Sequence, residues 1–133
     1  MGLSGFVSVG IGAMLGAWLR WWLGIALGWV LPVLAFGTLA ANLIGGYLIG
    51  LAIGYFEHFP AVAPETRLFI TTGFLGGLTT FSAFSGETAA LLLRGEYLWA
   101  VINVGMHVFG SLVMTLLGVG TILLARGWLA GHG

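Results

Sequence analysis

Four long apolar runs, at about residues 3 to 29, 32 to 56, 66 to 93 and 97 to 125, alternate with three short breaks. Each run reaches the roughly 20 apolar residues that an α-helix needs to cross a bilayer core. The pattern therefore predicts four transmembrane helices in one compact unit spanning residues 1–133. The first break is at Gly28 to Pro32, where a proline follows closely on the Gly28-Trp29 pair. The second, Glu57 to Glu65, reads EHFPAVAPE and carries two of the three prolines and two of the four acidic residues, as expected of an extramembrane loop. The third is Arg94 to Glu96. No internal repeat or low-complexity tail disturbs this order.

The third run departs from a plain lipid-facing helix. Its stretch GFLGGLTTFSAFSGET, Gly73 to Thr88, sets Gly73, Gly76 and Gly77 beside Thr79 and Thr80, and both residue types weaken helix propagation. A break is predicted there. Backbone carbonyls freed inside a membrane persist only if buried in protein, hydrated in a cavity or bound to a cation, so the stretch points to an ion site.

Composition narrows the classes. With 59% hydrophobic residues, 6% charged residues and a mean hydropathy of +1.10, the chain is not an ordinary soluble globule. Formal neutrality argues against nucleic acid as a partner. The absence of cysteine removes disulfides and thiolate chemistry. No metal-ligand or nucleophile–base spacing appears, and His58 and His132 fall outside the apolar core, so no enzyme is expected. The leading apolar run has neither a basic start nor a small-residue cleavage site and is read as the first span.

All four basic residues are arginines, and four spans in series put Arg20 and Arg94 toward one side, Arg67 and Arg126 toward the other. Orientation normally follows an excess of Lys and Arg in cytoplasmic loops. A balanced count predicts insertion both ways round and a head-to-tail dimer about an axis in the membrane plane. GxxxG spacings at Gly12/Gly16, Gly24/Gly28, Gly46/Gly50 and Gly50/Gly54 allow close helix contacts, within a subunit in preference to the dimer seam.

Polar residues recur inside the spans. Asn103, His107, Ser111 and Thr115 lie at four-residue intervals on one slowly rotating stripe, as do Thr38 and Asn42 on the second span. Such stripes serve either as interhelical hydrogen-bond glue or as a polar pathway, and spacing alone does not separate the two. The amide of Asn42 offers two N–H donors without a buried charge. Phe81 and Phe84, at i and i+3, present neighbouring rings whose positive edges can face a small anion, although such a pair also packs ordinary cores. Arg20, among Trp18, Trp21 and Trp22, either snorkels to the interface or sits in a wet vestibule where it concentrates anions. Glu87 either reaches the interface or lines a polar track.

Taken together, GGLTTFSAFS in the third span, GAWLRWWLG in the first, GTLAANLIGGYLIG in the second and GSLVMTLLG in the fourth resemble the CrcB family of fluoride channels, also called Fluc, over Ile11 to Gly118. The resemblance implies an antiparallel, dual-topology homodimer in the bacterial inner membrane, with two fluoride pores and a central structural sodium ion. On that resemblance the backbone carbonyls of Gly76 and Thr79 hold the sodium, and Phe81, Phe84 and Asn42 face fluoride. Ser82, Ser85, Thr38 and Ser111 line the polar track, Glu87 is its acid, and Arg20 draws anions into the vestibule. The implied activity is passive export of fluoride from the cytoplasm. Three positions depart from the family pattern: Ala83 replaces a frequent threonine, Asn103 stands where an aromatic occurs, and His107 stands where a small or hydroxyl residue is expected. His107 is thus open to donating to fluoride, tuning the pore with pH, or packing. A small proton-coupled multidrug exporter would share the four-span architecture, but the first span lacks the required carboxylate. A noncatalytic membrane assembly factor would explain the glycines but not the Asn, Phe and Thr-Thr positions.

Overall fold

The computed structural model describes residues 2–132 and is all-helical. Four helices are long and apolar enough to cross a membrane: α1 (Leu3–Leu27), α2 (Phe36–His58), α3 (Pro64–Leu93) and α4 (Tyr97–His132). Two ends differ from the apolar pattern by more than two residues. α2 starts at Phe36 because the chain through Pro32 turns instead of winding, tucking Leu34 into a small core with Leu91 and Ala100. α4 continues past residue 125 to His132, since nothing after the apolar run breaks a helix. At about 1.5 Å per residue it is far longer than the roughly 30 Å hydrocarbon layer, so its exposed last turns extend beyond the layer unless strongly tilted.

The connections follow from their residues. Arg67 wraps the α2–α3 loop, donating from Nε to the Val62 carbonyl at 3.3 Å and from Nη2 to the Pro60 carbonyl at 3.1 Å, with its guanidinium over the Phe56 ring. At the α3–α4 turn Gly95 takes the left-handed conformation (φ 76°). Glu96 N–H then reaches back to the Leu91 carbonyl at 2.9 Å and Gly95 N–H to that of Leu92 at 3.0 Å, a glycine-closed helix end.

Small residues decide which helices touch. A Cβ on Gly16 would collide with the Phe74 carbonyl oxygen and one on Gly77 with that of Ala13, so α1 and the first half of α3 meet backbone to backbone. A Cβ on Gly50 would overlap the Thr115 carbonyl, and Gly54 abuts Ile122, giving the same intimacy between α2 and α4. The spacings Gly12/Gly16, Gly46/Gly50 and Gly50/Gly54 therefore serve helix pairs within one subunit, whereas a Cβ on Gly24 or Gly28 would meet no other helix. Gly73, Gly76 and Gly77 correspondingly lie in continuous helix and do not themselves break α3; at Gly73 and Gly77 the missing side chain makes room for α1.

The break falls on the two threonines. Thr79 (φ −86°, ψ 154°) and Thr80 (φ −149°, ψ 124°) are extended. Thr79 ends the first half, residues 64–78, by donating both its N–H (3.0 Å) and its hydroxyl (2.8 Å) to the Leu75 carbonyl. Thr80 starts the second half, Phe81–Leu93, as an N-cap whose hydroxyl accepts the Ala83 N–H at 3.1 Å. Across this step α3 changes partner, packing on α1 before it and on the first turns of α4 after it. A core of Leu23, Ala41, Leu75 and Leu78 lies beneath the break, while most other large apolar side chains face outward, as they do in lipid.

Candidate ion pathway and cation cradle

Asn42, one turn along α2 from Thr38, faces the break. Its Oδ1 accepts the Thr80 N–H at 2.8 Å, and its Nδ2 donates to the Thr80 carbonyl at 3.0 Å. A peptide N–H can only donate and a carbonyl only accept, so the backbone fixes which way the amide points. The same Nδ2 lies 2.9 Å from His107 Nδ1 on α4. Both amide hydrogens therefore have acceptors within the subunit.

Around this pair the expected pore residues gather. Phe84 is buried, with its ring tilted on that of His107 at 4.6 Å between centroids, and Phe81 meets Phe84 edge-on at 5.5 Å. Asn42, Thr80, Phe81, Phe84, His107 and Ser111 line a cavity of about 330 Å³, and no charged side chain faces it among the described residues. His107 itself is 4% exposed, and its Nε2 has no hydrogen-bond partner. The π-wound turn Met106–Gly110 assists this convergence. In an α-helix each four-residue step drifts by about 40°, and the wider turn reverses part of that drift, keeping His107 and Ser111 on one wall.

A second cavity of about 330 Å³ opens near the other end of the second half of α3, lined by Pro32, Thr38, Glu87, Arg94 and Asn103. There Thr38 donates to Glu87 Oε1 at 2.7 Å, leaving Glu87 Oε2 buried and unpartnered. Asn103, 2% exposed, donates to the Thr88 hydroxyl at 3.0 Å, which donates on to the Phe84 carbonyl at 2.9 Å. Asn103 thus fastens the segment that carries Phe84. Thr115 bonds the carbonyls of Gly46 and Ser111, so this part of the α4 stripe is interhelical glue.

A third cavity, about 310 Å³, also borders Asn42 and is lined by Gly45, Gly46, Thr71, Gly76, Thr79 and Ser111. From the described residues, the carbonyl oxygens of Gly76 and Thr79 accept no hydrogen bond. Neutral oxygens at mid-span, without a competing donor, suit a hard cation. Arg20 lies beside them: it is half-buried and its Nε donates to the Gly77 carbonyl at 3.1 Å. It caps the end of the first half of α3, as a cation suits the negative end of a helix dipole, and does not sit at the end of its own span. That leaves Arg94 alone at its end of the bundle, against Arg67 and Arg126.

Ser82 and Ser85 do not join the central cavity. With Phe81, which is 77% exposed, they lie on an open face of the second half of α3 continued by Gly86 and Ala89. Two contributors had no signal in the sequence, Thr88 as bridge and Gly77 through its carbonyl. Thr80, expected only to weaken the helix, also serves as cap and clamped backbone.

The fold and site thus define a helical membrane protein of four spans, its third helix broken midway beside a neutral, polar-lined cavity. Residues 7–119 match the family described as CrcB-like protein, Camphor Resistance (CrcB). The chain belongs to this family. It is 58% identical to the "Fluoride-specific ion channel FluC" of Nitrosospira multiformis over 99% of this chain and 100% of that one. It is 55% identical to the protein of the same name from Cupriavidus metallidurans over 90% and 94% of the respective chains, and 51% identical to that from Pseudomonas putida over 94% and 98%.

Proposed function

We propose that this chain is a fluoride-selective channel that lets fluoride leave the cytoplasm passively, and that it works as an antiparallel homodimer with two pores in the bacterial inner membrane. The observation that carries the reading is the convergence of Asn42, Phe81, Phe84, His107 and Ser111 on one uncharged cavity inside the spans. The relatives are named as channels, not enzymes, and the chain is read likewise.

Fluoride holds its water tightly, so a pore must replace hydration by donors that are individually modest and serially arranged. Hydroxyls and the positive rims of Phe81 and Phe84 meet that demand, with Thr38, Ser82, Ser85 and Ser111 as polar-track positions and Glu87 at the outer cavity. Arg20, tied to the Gly77 carbonyl, contributes its charge from within the bundle. A narrow wall rejects chloride by size and by incomplete dehydration.

A second copy is supported by the open serine face of α3 and by the unpartnered carbonyls of Gly76 and Thr79. Paired across a two-fold axis, those carbonyls would hold sodium through oxygen alone, and the ion would pin the two breaks together. This chain's part is to keep the four oxygens free of internal donors.

The test is fluoride release from proteoliposomes loaded with potassium fluoride. Release with valinomycin, and none of chloride under the same conditions, is expected. Uptake of an organic cation driven by a proton gradient would instead favour a small exporter.

A further inference from the structure

Resting on that reading, we propose that Asn42 is a positioning residue that fixes the His107 imidazole as its Nε2–H tautomer, so that the ring, not the amide, presents the free N–H to fluoride. Thr80 is the anchor. Its extended peptide holds the Asn42 amide at both ends, 2.8 Å on Oδ1 and 3.0 Å on Nδ2, and turning the amide over would set N–H against N–H and oxygen against oxygen. The hydrogen left on Nδ2 points at His107 Nδ1, 2.9 Å away. Nδ1 must then accept, and in a neutral imidazole an accepting Nδ1 places the proton on Nε2.

That proton has no acceptor in the subunit. His107 is 4% exposed, its Nε2 is unpartnered, and the residue lines the cavity with Phe81, Phe84 and Ser111. A buried donor without a partner is costly in a membrane interior unless a ligand takes the bond. The elements packed around the ring bring no charge to that cavity: Glu87 on α3 is held by Thr38, and Arg20 on α1 by the Gly77 carbonyl. A small anion therefore meets a neutral donor whose direction is set two bonds away, by the backbone at the break.

Nitrogen-15 spectroscopy of histidine-labelled, full-length protein in bilayers tests this, with His107 distinguished from His58 and His132 by its absence in His107→Gln. The expected spectrum shows a bare Nδ1 and a protonated Nε2. Sodium fluoride should shift Nε2 while leaving Nδ1 in place, and sodium chloride should shift neither. In Asn42→Asp the carboxylate keeps the Thr80 N–H but can no longer donate, so the ring proton should move to Nδ1. A protonated Nδ1 in the unmodified protein, or an Nε2 indifferent to fluoride, overturns the proposal; if Asn42→Asp does not fold, these two measurements still decide. Fluoride release by a protein with a protonated Nδ1 sinks this inference alone, whereas no release sinks the channel reading.

Discussion

Phe81 and Phe84 occupy opposite extremes of exposure although three residues apart. Phe84, 7% exposed, is wedged against His107 and carries the carbonyl to which Thr88 is bonded, while Phe81 is 77% exposed and touches its own chain edge-on. Their roles in folding therefore differ, whereas the role proposed for them toward an anion is shared. Replacing both by isoleucine removes two ring-edge interactions worth about 1 kcal/mol each, which corresponds to roughly 30-fold in rate. Fluoride release from liposomes should fall by about that factor or to background, with the assembled protein still eluting at its normal position; undiminished release would refute the assignment. At this scale the sequence was legible where side-chain type carries the chemistry, as in Asn42 and the phenylalanine pair. It was silent on the Gly77 carbonyl as a hydrogen-bond group, and it named those of Gly76 and Thr79 only through the family resemblance, because every residue has a carbonyl and only the fold decides which are freed.

At the scale of elements, packing is governed by where a side chain is missing. Gly50→Val inserts atoms where the Thr115 carbonyl already sits, and overpacking of this kind costs about 1–3 kcal/mol. The variant should melt well below the parent protein in detergent, whereas Gly10→Ala, where a Cβ meets nothing within 4 Å, should melt with it. Thr80→Val deletes the N-cap of the second half of α3, for which about 1 kcal/mol is expected. Its test is a lower melting temperature together with slowed fluoride release. Four spans, three connections and an interrupted third helix could be read from hydropathy and from glycine and threonine. The location of the interruption on Thr79 and Thr80 could not, because a glycine weakens a free helix and strengthens a closely packed one, and sequence does not say which setting applies.

For the whole molecule, the lack of native cysteine makes orientation directly measurable. A single cysteine at Ala61, in the α2–α3 loop, should be labelled in part by an impermeant maleimide added outside intact cells and in full after permeabilisation. Labelling that is complete or absent before permeabilisation would rule out dual orientation. Exchange of sodium for N-methylglucamine should lower fluoride release without changing chloride exclusion, if the cradle of Gly76 and Thr79 holds the cation proposed. Assembly was the least legible level: the arginine count suggested two-way insertion, yet Arg20 is committed inside the bundle, and a buried commitment of that kind cannot be seen in a linear count.

The uncapped carbonyls at mid-span also bear on how the protein is made. A freshly inserted subunit already gives its interior arginine the Gly77 carbonyl as an acceptor, but it carries into oil peptide oxygens that each cost several kcal/mol to leave bare. If the protein works as the antiparallel pair proposed, a lone copy would be a strained intermediate open to quality-control proteases, and the supply of oppositely inserted mates, more than the rate of synthesis, would set how many working channels a cell accumulates.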